Sequence, residues 1–307
     1  MRTLGWNCRG ICNASTVSAL KAQIRGCNPM IVFLSETKVN EKRMKKVADL
    51  IGFPNFIAIS PKGRAGGICL LWANEVDVEV LEFNSNTVAV TVTECNIVWS
   101  LIGFYGPPTH AKRMKAWVSL HALLEMIDGL WLCFGDFNAV IDDSEKEGGR
   151  YGGSSMPSFL KNLIFDIGAV DLGFAGNKFT WSNKRWGKDC IRERLDRGIA
   201  NINWTLCFPR ATVYHLGALN SDHCPLLIDM NPDDSFSPRP FHFEAIWAKD
   251  PRCYNVIDEA WKNEFYGFDS FILCHKQFST TATLKKWNKE TFGFYQTRMK
   301  ELSTKLE

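Results

Sequence analysis

Short apolar runs alternate with helix-forming segments along the first 230 residues of this 307-residue chain. The runs 30–34, 97–104 and 130–134 contain no charged side chain, which is typical of strands covered on both faces. Around them, apolar residues recur at helical spacing. The residues that define these helical faces are Val17, Leu20 and Ile24; Met44, Val47, Ala48 and Ile51; Trp117, Leu120, Leu123, Leu124 and Ile127; and Phe159, Leu163 and Ile167. The alternation predicts an α/β (α+β) chain in which helices cover a mixed sheet.

Period-two alternation in the segment 76–93 predicts antiparallel strands. Val76, Val78 and Val80 alternate with acidic residues, and a second alternating segment, 88–93, follows the turn residues 84–86. Such a pattern is typical of strands with one buried face, joined by a tight turn. Further short strands are predicted at 179–181, 192–199 and 225–230.

The domain organisation follows from a change in composition near residue 231. The segment 231–240 holds three prolines together with Ser and Asp residues, which is typical of a linker. We therefore predict one domain over 1–230, a linker over 231–240, and a helical connector over 241–307 whose apolar positions are only loosely periodic.

Composition excludes several classes of protein. Hydrophobic residues make up 46% of the chain, so the chain is neither disordered nor of low complexity. The formal charge of +3 is too small to argue by itself for a polyanionic partner. None of the 11 cysteines forms a C-x-x-C pair, which favours reduced thiols in an intracellular compartment over a zinc site. We find neither a secretion signal nor an apolar run long enough to span a membrane.

Polar residues follow the buried strands at the point where each strand ends. Glu36 comes shortly after the first run, Tyr105 after the second, and Gly135, Asp136 and Asn138 after the third. Because strand ends in layered α/β folds meet at one edge, these side chains could share a site. Asp136 and Asn138 would point to the same face in an extended chain, and Gly135 permits a close backbone approach.

Two acidic residues and a histidine lie further along the chain. Asp196 stands inside an apolar-flanked strand, and Asp222 and His223 are adjacent just before the last predicted strand. A carboxylate such as Asp196 can hold a catalytic imidazole in one tautomer. Each residue taken alone could equally be a turn or capping residue.

Seven short motifs together, in their order along the chain, resemble the endonuclease/exonuclease/phosphatase superfamily. These motifs are Trp6-Asn7, Glu36-Thr37, Tyr105-Gly106-Pro107, Gly135-Asp136-Phe137-Asn138, Phe179-Thr180-Trp181, Arg194-Leu195-Asp196 and Ser221-Asp222-His223. Five further segments resemble the apurinic-type endonuclease domain of plant non-LTR retrotransposons and the stretch that joins it to a reverse transcriptase. They are the residues 6–10, 145–150, 195–198, 241–247 and 286–293.

The resemblance implies a deoxyribonuclease-like four-layer sandwich of two mixed sheets flanked by helices, with a C-terminal helical appendage. It also implies phosphodiester cleavage with Mg²⁺ or Mn²⁺, for which hard oxygen ligands are suited. The implied metal ligands are Glu36 above all, with Asn7 and Asp222. The implied catalytic residues are Tyr105, Asp136, Asn138, Asp196 and His223.

One position departs from the family pattern. Several relatives carry Asp or Asn two residues after the first Asn, as a secondary metal contact, whereas this chain has Arg9. The retroelement members tolerate this change, so we interpret Arg9 as a mark of the subfamily.

The resemblance predicts DNA as the substrate, with no membrane and no small organic cofactor, and leaves the oligomeric state open. The loop Lys184, Arg185 and Trp186 is the best candidate for DNA contact, since an aromatic ring beside two cations suits a groove. A retroelement nuclease would act in the nucleus. Two alternatives stay open: an abasic-site repair nuclease or another phosphoesterase of the superfamily, and an inactive remnant of a retroelement. The inositol phosphatases are disfavoured because Trp131 lies four residues before Gly135 and the late motif reads Arg-Leu-Asp-Arg.

Overall fold

The computed structural model describes residues 1–61, 63, 65–94, 96–149, 157–218, 220–232, 250–267 and 269–291. The chain divides into two compact units, Met1–Ser237 and Pro238–Glu307. The first unit holds two large sheets and five helices among its described residues. The predicted linker falls mostly outside the described residues, so that boundary stays a prediction.

The first sheet has seven strands: β1 (Arg2–Asn7), β2 (Ile31–Ser35), β3 (Asn55–Ile59), β4 (Ile68–Trp72), β11 (Ala175–Gly176), β15 (Thr212–His215) and β16 (Leu226–Asp229). Their order in the sheet is β11-β15-β16-β1-β2-β4-β3. The central pair, β1 and β2, is parallel, and the other neighbours are antiparallel except for β11 and β15.

The second sheet has six strands: β5 (Asp77–Phe83), β6 (Thr87–Glu94), β7 (Ile97–Tyr105), β8 (Leu130–Asp136), β10 (Ala169–Asp171) and β14 (Asp196–Asn201). Their order in the sheet is β10-β14-β8-β7-β6-β5. The meander β5-β6-β7 is antiparallel, as the valine alternation predicts, and β7 pairs with β8 in parallel.

Three short strands in the loops that connect the strands of the large sheets form a small third sheet. It consists of β9 (Lys146–Glu147), β12 (Trp181–Ser182) and β13 (Arg192–Glu193), in the order β12-β13-β9. The single strand predicted over 192–199 is therefore wrong, because β13 belongs to this sheet and β14 to the second sheet. Thr180 explains the break: its hydroxyl oxygen accepts hydrogen bonds from the backbone N–H groups of Leu195 and Asp196 at 3.0 and 2.9 Å.

The inner faces of the two large sheets form the central core. Phe33 of β2 meets Phe134 of β8 edge to face, with ring centroids 5.7 Å apart, in a cluster of buried side chains drawn from both sheets. Gly103 faces the Phe33 ring so closely that a Cβ atom would overlap it, so a glycine is needed there.

Helices cover the outer faces. The first sheet packs on α1 (Ala14–Cys27) and α2 (Glu41–Ile51), through buried residues such as Leu20 and Val47. The second sheet packs on α3 (His110–Met126) and α4 (Pro157–Asp166), through Trp117 and Leu163. A short helix, α5 (Ile202–Cys207), places Trp204 in the central core. The predicted α/β architecture of two mixed sheets with flanking helices is confirmed.

The second unit contains two described helices, α6 (Pro251–Trp261) and α7 (Asp269–Thr291). They pack through a small cluster around Cys253 and Leu284, so the predicted helical appendage is confirmed as helical. No described helix is long and apolar enough to cross a bilayer. Cysteines in both units are free thiols, among them Cys8, Cys69, Cys133 and Cys253.

Candidate active site

Strand register brings three of the predicted catalytic residues into one row. Tyr105 at the end of β7 pairs with Asp136 at the end of β8, and Asp136 pairs with Asp196 at the start of β14. In the first sheet, Asn7 at the end of β1 pairs with Ser35, which precedes Glu36. The two sheets thus present their polar strand ends at one edge of the sandwich.

His223 is buried between two carboxylates. Its Nδ1 lies 2.8 Å from Asp196 Oδ2, and its Nε2 lies 3.8 Å from Asp136 Oδ2. Burial alone would lower the pKa of His223, but these carboxylates raise it to about 9. The backbone N–H of His223 donates to Ser221 Oγ at 3.1 Å, and the contact of Nδ1 with Asp196 orients the ring so that Nε2 faces Asp136.

The Asn7 side chain connects the carboxylates of the two sheets. Its amide nitrogen donates to Asp136 Oδ2 at 2.8 Å and to Glu36 Oε1 at 3.3 Å. Its amide oxygen accepts the backbone N–H of Arg9 at 3.2 Å. Asn7 therefore acts here as a donor that screens two negative groups from each other, and it could ligate a metal only after its amide turns.

Glu36 stands in the left-handed backbone region, with φ of 51°, directly after β2. Tyr105 donates its hydroxyl hydrogen to Glu36 Oε1 at 3.1 Å, and Lys38 Nζ lies 3.0 Å from Oε2. Burial would raise the pKa of Glu36, but Lys38, Asn7 and Tyr105 together lower it. The carboxylate is thus held ionised at the edge of the site, as a metal ligand requires.

Asp136 is nearly inaccessible, with 1% of the residue exposed. Burial raises its pKa to about 7, with a further rise from Asp196 and opposing effects from His223 and Asn7. A carboxylate of this kind can accept a proton near neutral pH.

Asn138 contacts Asp136 through a backbone conformation that differs from the predicted extended strand. The chain leaves the extended conformation, since Asn138 has φ of 53°. Its backbone N–H donates to Asp136 Oδ1 at 2.8 Å and its amide nitrogen lies 3.4 Å from Oδ2. The proximity is as predicted, but the reason, side chains on one face of a strand, is wrong. Gly135 has φ of 135° and faces the carbonyl of Phe104 closely, so the predicted close approach is confirmed.

Asp222 lies at the outer side of the site. Its Oδ2 accepts the indole N–H of Trp181 at 2.8 Å and pairs with Arg9 Nη1. Its Oδ1 is buried and has no hydrogen-bond partner among the residues that the structure describes. Arg9 also approaches Glu36, with Nε 3.9 Å from Oε2. The guanidinium group therefore lies between two of the three predicted metal ligands.

A buried ion network supports the strand that carries Asp196. Arg197 contacts Glu145 and Asp171, each at 2.8 Å, and Arg194 contacts the same two carboxylates, each at 2.7 Å. Arg197 also donates to the carbonyl of Ala139 at 3.2 Å. The network therefore ties β14 to the loop that follows Asp136.

The residues present fit a divalent cation. Asp136, Asp196 and His223 form a buried group whose possible ligand atoms all lie within 4.8 Å of one another. Glu36 adds an ionised carboxylate, and Asp222 adds a buried oxygen that has no hydrogen-bond partner in the described part of the chain. Hard oxygen donors in this number suit Mg²⁺ or Mn²⁺.

The predicted DNA-binding loop leaves the site at Trp181. Lys184, Arg185 and Trp186 are all exposed, Trp186 by 94%. Ser182, at the start of the loop, donates its backbone N–H to the carbonyl of Asp222 at 3.1 Å. The loop is thus anchored to the site at its base and presents an unpacked aromatic ring at its tip.

Several residues that shape the site are not among the functional residues predicted from the sequence. Thr180 and Trp181 stand in a recognised motif, but their partners, Asp196 and Asp222, lie far away in sequence. For Lys38 the sequence gives only a weak indication of a role in the site, namely its position two residues after Glu36. Arg194 and Arg197 could have been noticed as charges inside an apolar-flanked segment, because buried arginines require carboxylate partners.

Comparisons with known proteins agree with this geometry. Residues 4–223 match the sequence model of the Endonuclease/Exonuclease/phosphatase family. No curated protein sequence matches the chain.

Similar solved structures cover about three quarters of the chain. The AP endonuclease of Leishmania major has a TM-score of 0.57 at 16% identity, over 74% of this chain and 86% of that one. The endonuclease domain of TRAS1, a telomere-specific non-LTR retrotransposon, has a TM-score of 0.57 at 16% identity, over 76% and 99%. The 3′ phosphatase NExo from Neisseria, bound to a product DNA hairpin, has a TM-score of 0.56 at 15% identity, over 75% and 99%. At these identities the likeness is one of fold, and it agrees with the predicted deoxyribonuclease-like sandwich.

Proposed function

Since the chain belongs to the endonuclease/exonuclease/phosphatase family, we propose that it is a divalent-metal-dependent DNA endonuclease of the non-LTR retroelement type, which nicks target DNA. The observation that carries the proposal is the pairing of two carboxylates with opposite properties. Glu36 pairs with Lys38 Nζ at 3.0 Å at the edge of the site and is held ionised, whereas Asp136 is 1% exposed and accepts from Asn7 at 2.8 Å, with its pKa raised by burial. The motifs at 6–10, 145–150 and 195–198 favour the retroelement type over other members.

The proposed phosphodiester cleavage uses four side chains: Asp136, Asn138, His223 and Tyr105. Asp136 accepts the proton of the attacking water, oriented by the hydrogen bonds that Asn138 donates to it. His223, charged because Asp196 holds it, and the Tyr105 hydroxyl group face the place where negative charge builds on the phosphate oxygens. The pKa of Tyr105 is raised by burial and by Glu36, so Tyr105 remains a hydrogen donor at neutral pH.

We infer that Glu36 is the principal carboxylate ligand of Mg²⁺ or Mn²⁺, with Asn7 and Asp222 bordering the same site. When bound, the cation supplies charge stabilisation for the phosphate and its leaving oxygen. The alternative placement uses Asp136, Asp196 and His223, whose ligand atoms are close together. Loss of Mn²⁺ binding in Glu36→Gln but not in His223→Ala supports the first placement, and the reverse result supports the second.

DNA is the proposed substrate, and the loop Lys184, Arg185 and Trp186 is its proposed contact outside the site. Cations at such a position bind phosphates without reading sequence, and an exposed indole ring can enter a groove or stack on a base. We also propose that the protein acts in the nucleus, because the target of a retroelement nuclease is chromosomal DNA.

The substrate is tested by two parallel assays of the purified full chain with Mg²⁺. One measures nicking of a supercoiled plasmid free of abasic sites, and the other measures cleavage of a duplex with one abasic site. We expect plasmid nicking at a rate within tenfold of the abasic rate. Strict dependence on the abasic site would favour a repair nuclease instead. Absence of both activities, in a protein that unfolds cooperatively, would favour an inactive remnant.

A further inference from the structure

Arg9 occupies a position between two carboxylates of the candidate metal site. Its Nη1 pairs with Asp222 Oδ2 and its Nε lies 3.9 Å from Glu36 Oε2. Half of the Arg9 side chain is exposed, at 50%. The residue has a left-handed backbone conformation, with φ of 48°.

The pairing limits what Asp222 can offer to a cation. Its Oδ2 already accepts from Arg9 and from Trp181. Its Oδ1 is buried, without a partner among the described residues. Asp222 is thus a charged group whose neutralisation comes from Arg9.

The ion pairs around the site point in the same direction. The Arg9 guanidinium group lies between Asp222 and Glu36, where a second divalent cation would need the oxygens of these two carboxylates. Lys38 adds another cation, with Nζ 3.0 Å from Glu36 Oε2. Like charges confined at close range repel strongly when they are partly desolvated, so these side chains oppose a second metal ion.

We propose that Arg9 is a built-in cation of this site: it holds Asp222 as an ion pair, restricts the site to a single divalent metal ion, and leaves Glu36 as that ion's principal carboxylate ligand. In the substrate complex the exposed part of Arg9 is available to a DNA phosphate. The inference rests on the proposed metal-dependent function.

Calorimetric titration of the full chain with Mn²⁺ tests this inference without relying on activity. Arg9→Asn removes the charge and keeps a residue that tolerates positive φ. We expect one Mn²⁺ per wild-type chain, and in Arg9→Asn either a second Mn²⁺ or at least tenfold tighter binding. Arg9→Lys should bind within about threefold of wild type, because it keeps the charge. Arg192→Asn, which breaks the surface pair of Arg192 with Glu147 at 2.6 Å, is the matched control and should leave binding unchanged.

The role of Asp222 is tested by combining substitutions. Asp222→Asn in the wild-type background should change Mn²⁺ affinity by less than about threefold, whereas in the Arg9→Asn background it should remove the gain. A tenfold loss from Asp222→Asn alone, with no effect of Arg9→Asn, would overturn the inference. Circular dichroism in EDTA verifies that each variant is folded.

The proposed function can fail independently of this inference. Absence of Mn²⁺ binding by wild type and Arg9→Asn alike would contradict the metal-dependent function itself. Mn²⁺ binding that Arg9→Asn leaves unchanged in both stoichiometry and affinity would contradict only the inference about Arg9. Binding by Arg9→Asn but not by wild type would also contradict the inference, since the inference assigns one metal ion to the wild-type site.

Discussion

At the scale of single residues, the site depends on carboxylates made different by their neighbours. Glu36 is held ionised by Lys38, while burial raises the pKa of Asp136. In the proposed reaction Asp196 neither is the principal metal ligand nor accepts the proton of the attacking water. Its 2.8 Å contact to His223 Nδ1 fixes the imidazole and keeps it charged, so we assign it a positioning role.

Asp196→Asn is expected to slow nicking on the order of 10²- to 10⁴-fold, because the amide lacks the charge that stabilises the imidazolium of His223. The measurement is the single-turnover rate on supercoiled plasmid at saturating Mg²⁺. The pH dependence of the remaining rate distinguishes a positioning role from a general loss of structure. Without the Asp196 charge the pKa of His223 should be lower, so on raising the pH the rate of the variant should fall at a lower pH than the wild-type rate. Asp77→Asn, at an exposed position on β5, is the control. A folded Asp196→Asn variant with a rate within threefold of wild type would contradict the assignment.

At the scale of elements, the ion network around Arg194 and Arg197 determines where β14 lies. Both arginines are buried, and Asp171 and Glu145 neutralise them from β10 and from the turn before β9. Breaking a buried pair is costly because it leaves an uncompensated charge. The network is therefore a stability element as well as a support for Asp196.

The stability of this network should depend on acid pH. Burial would raise the pKa of Asp171, but Arg197 and Arg194 lower it to about 2 from an ordinary 3.8. A carboxylate with a lowered folded-state pKa contributes stability that is complete above its ordinary pKa and is lost as the pH falls toward 2, here about 2 kcal/mol.

Asp171→Asn should therefore lower the free energy of unfolding by about 3 kcal/mol at pH 6. The difference in the free energy of unfolding between wild type and the variant should narrow as the pH falls from about 4 to about 2.5. Urea unfolding of both proteins at about pH 4 and at about pH 2.5 measures this difference. Asp128→Asn, at an exposed position, should show no such narrowing. A difference that stays constant between the two pH values would contradict the assignment of the stabilising charge to Asp171.

The loop after β12 is the element proposed to contact DNA. Trp186→Ala should weaken DNA binding by about tenfold, because base or groove contact with an aromatic ring is worth about 1–3 kcal/mol. Fluorescence anisotropy with a labelled duplex measures the dissociation constant without cleavage, in the Asp136→Asn background. Phe165→Ala removes another exposed aromatic ring, 83% exposed, from the end of α4, and should have no effect. Equal affinities of the two variants would exclude the Trp186 ring from the DNA contact.

At the scale of the whole molecule, the sequence predicts the layers better than the connections between them. Apolar runs and helical spacing reveal the strands and helices because each must bury one or both faces. The polar residues at strand ends were identifiable for the same reason, since they interrupt apolar runs at a fixed place.

What the sequence could not predict depends on hydrogen bonds, turns and ion pairs that the apolar pattern does not indicate. Thr180 divides one predicted strand into β13 and β14 by bonding two backbone N–H groups. Asn138 turns where an extended chain was expected. The partner of Arg9, Asp222, lies 213 residues away, so no local pattern could reveal it.

The central claim is that the buried cluster around Asp136 is a metal-dependent phosphodiesterase centre. The most direct test is the conversion of supercoiled plasmid to nicked circle by the full chain, in Mg²⁺ and in EDTA, for wild type and Asp136→Asn. We predict nicking only with Mg²⁺ or Mn²⁺, and a loss of at least about 10²-fold in the variant. Nicking that persists in EDTA, or that is undiminished in Asp136→Asn, would contradict the claim.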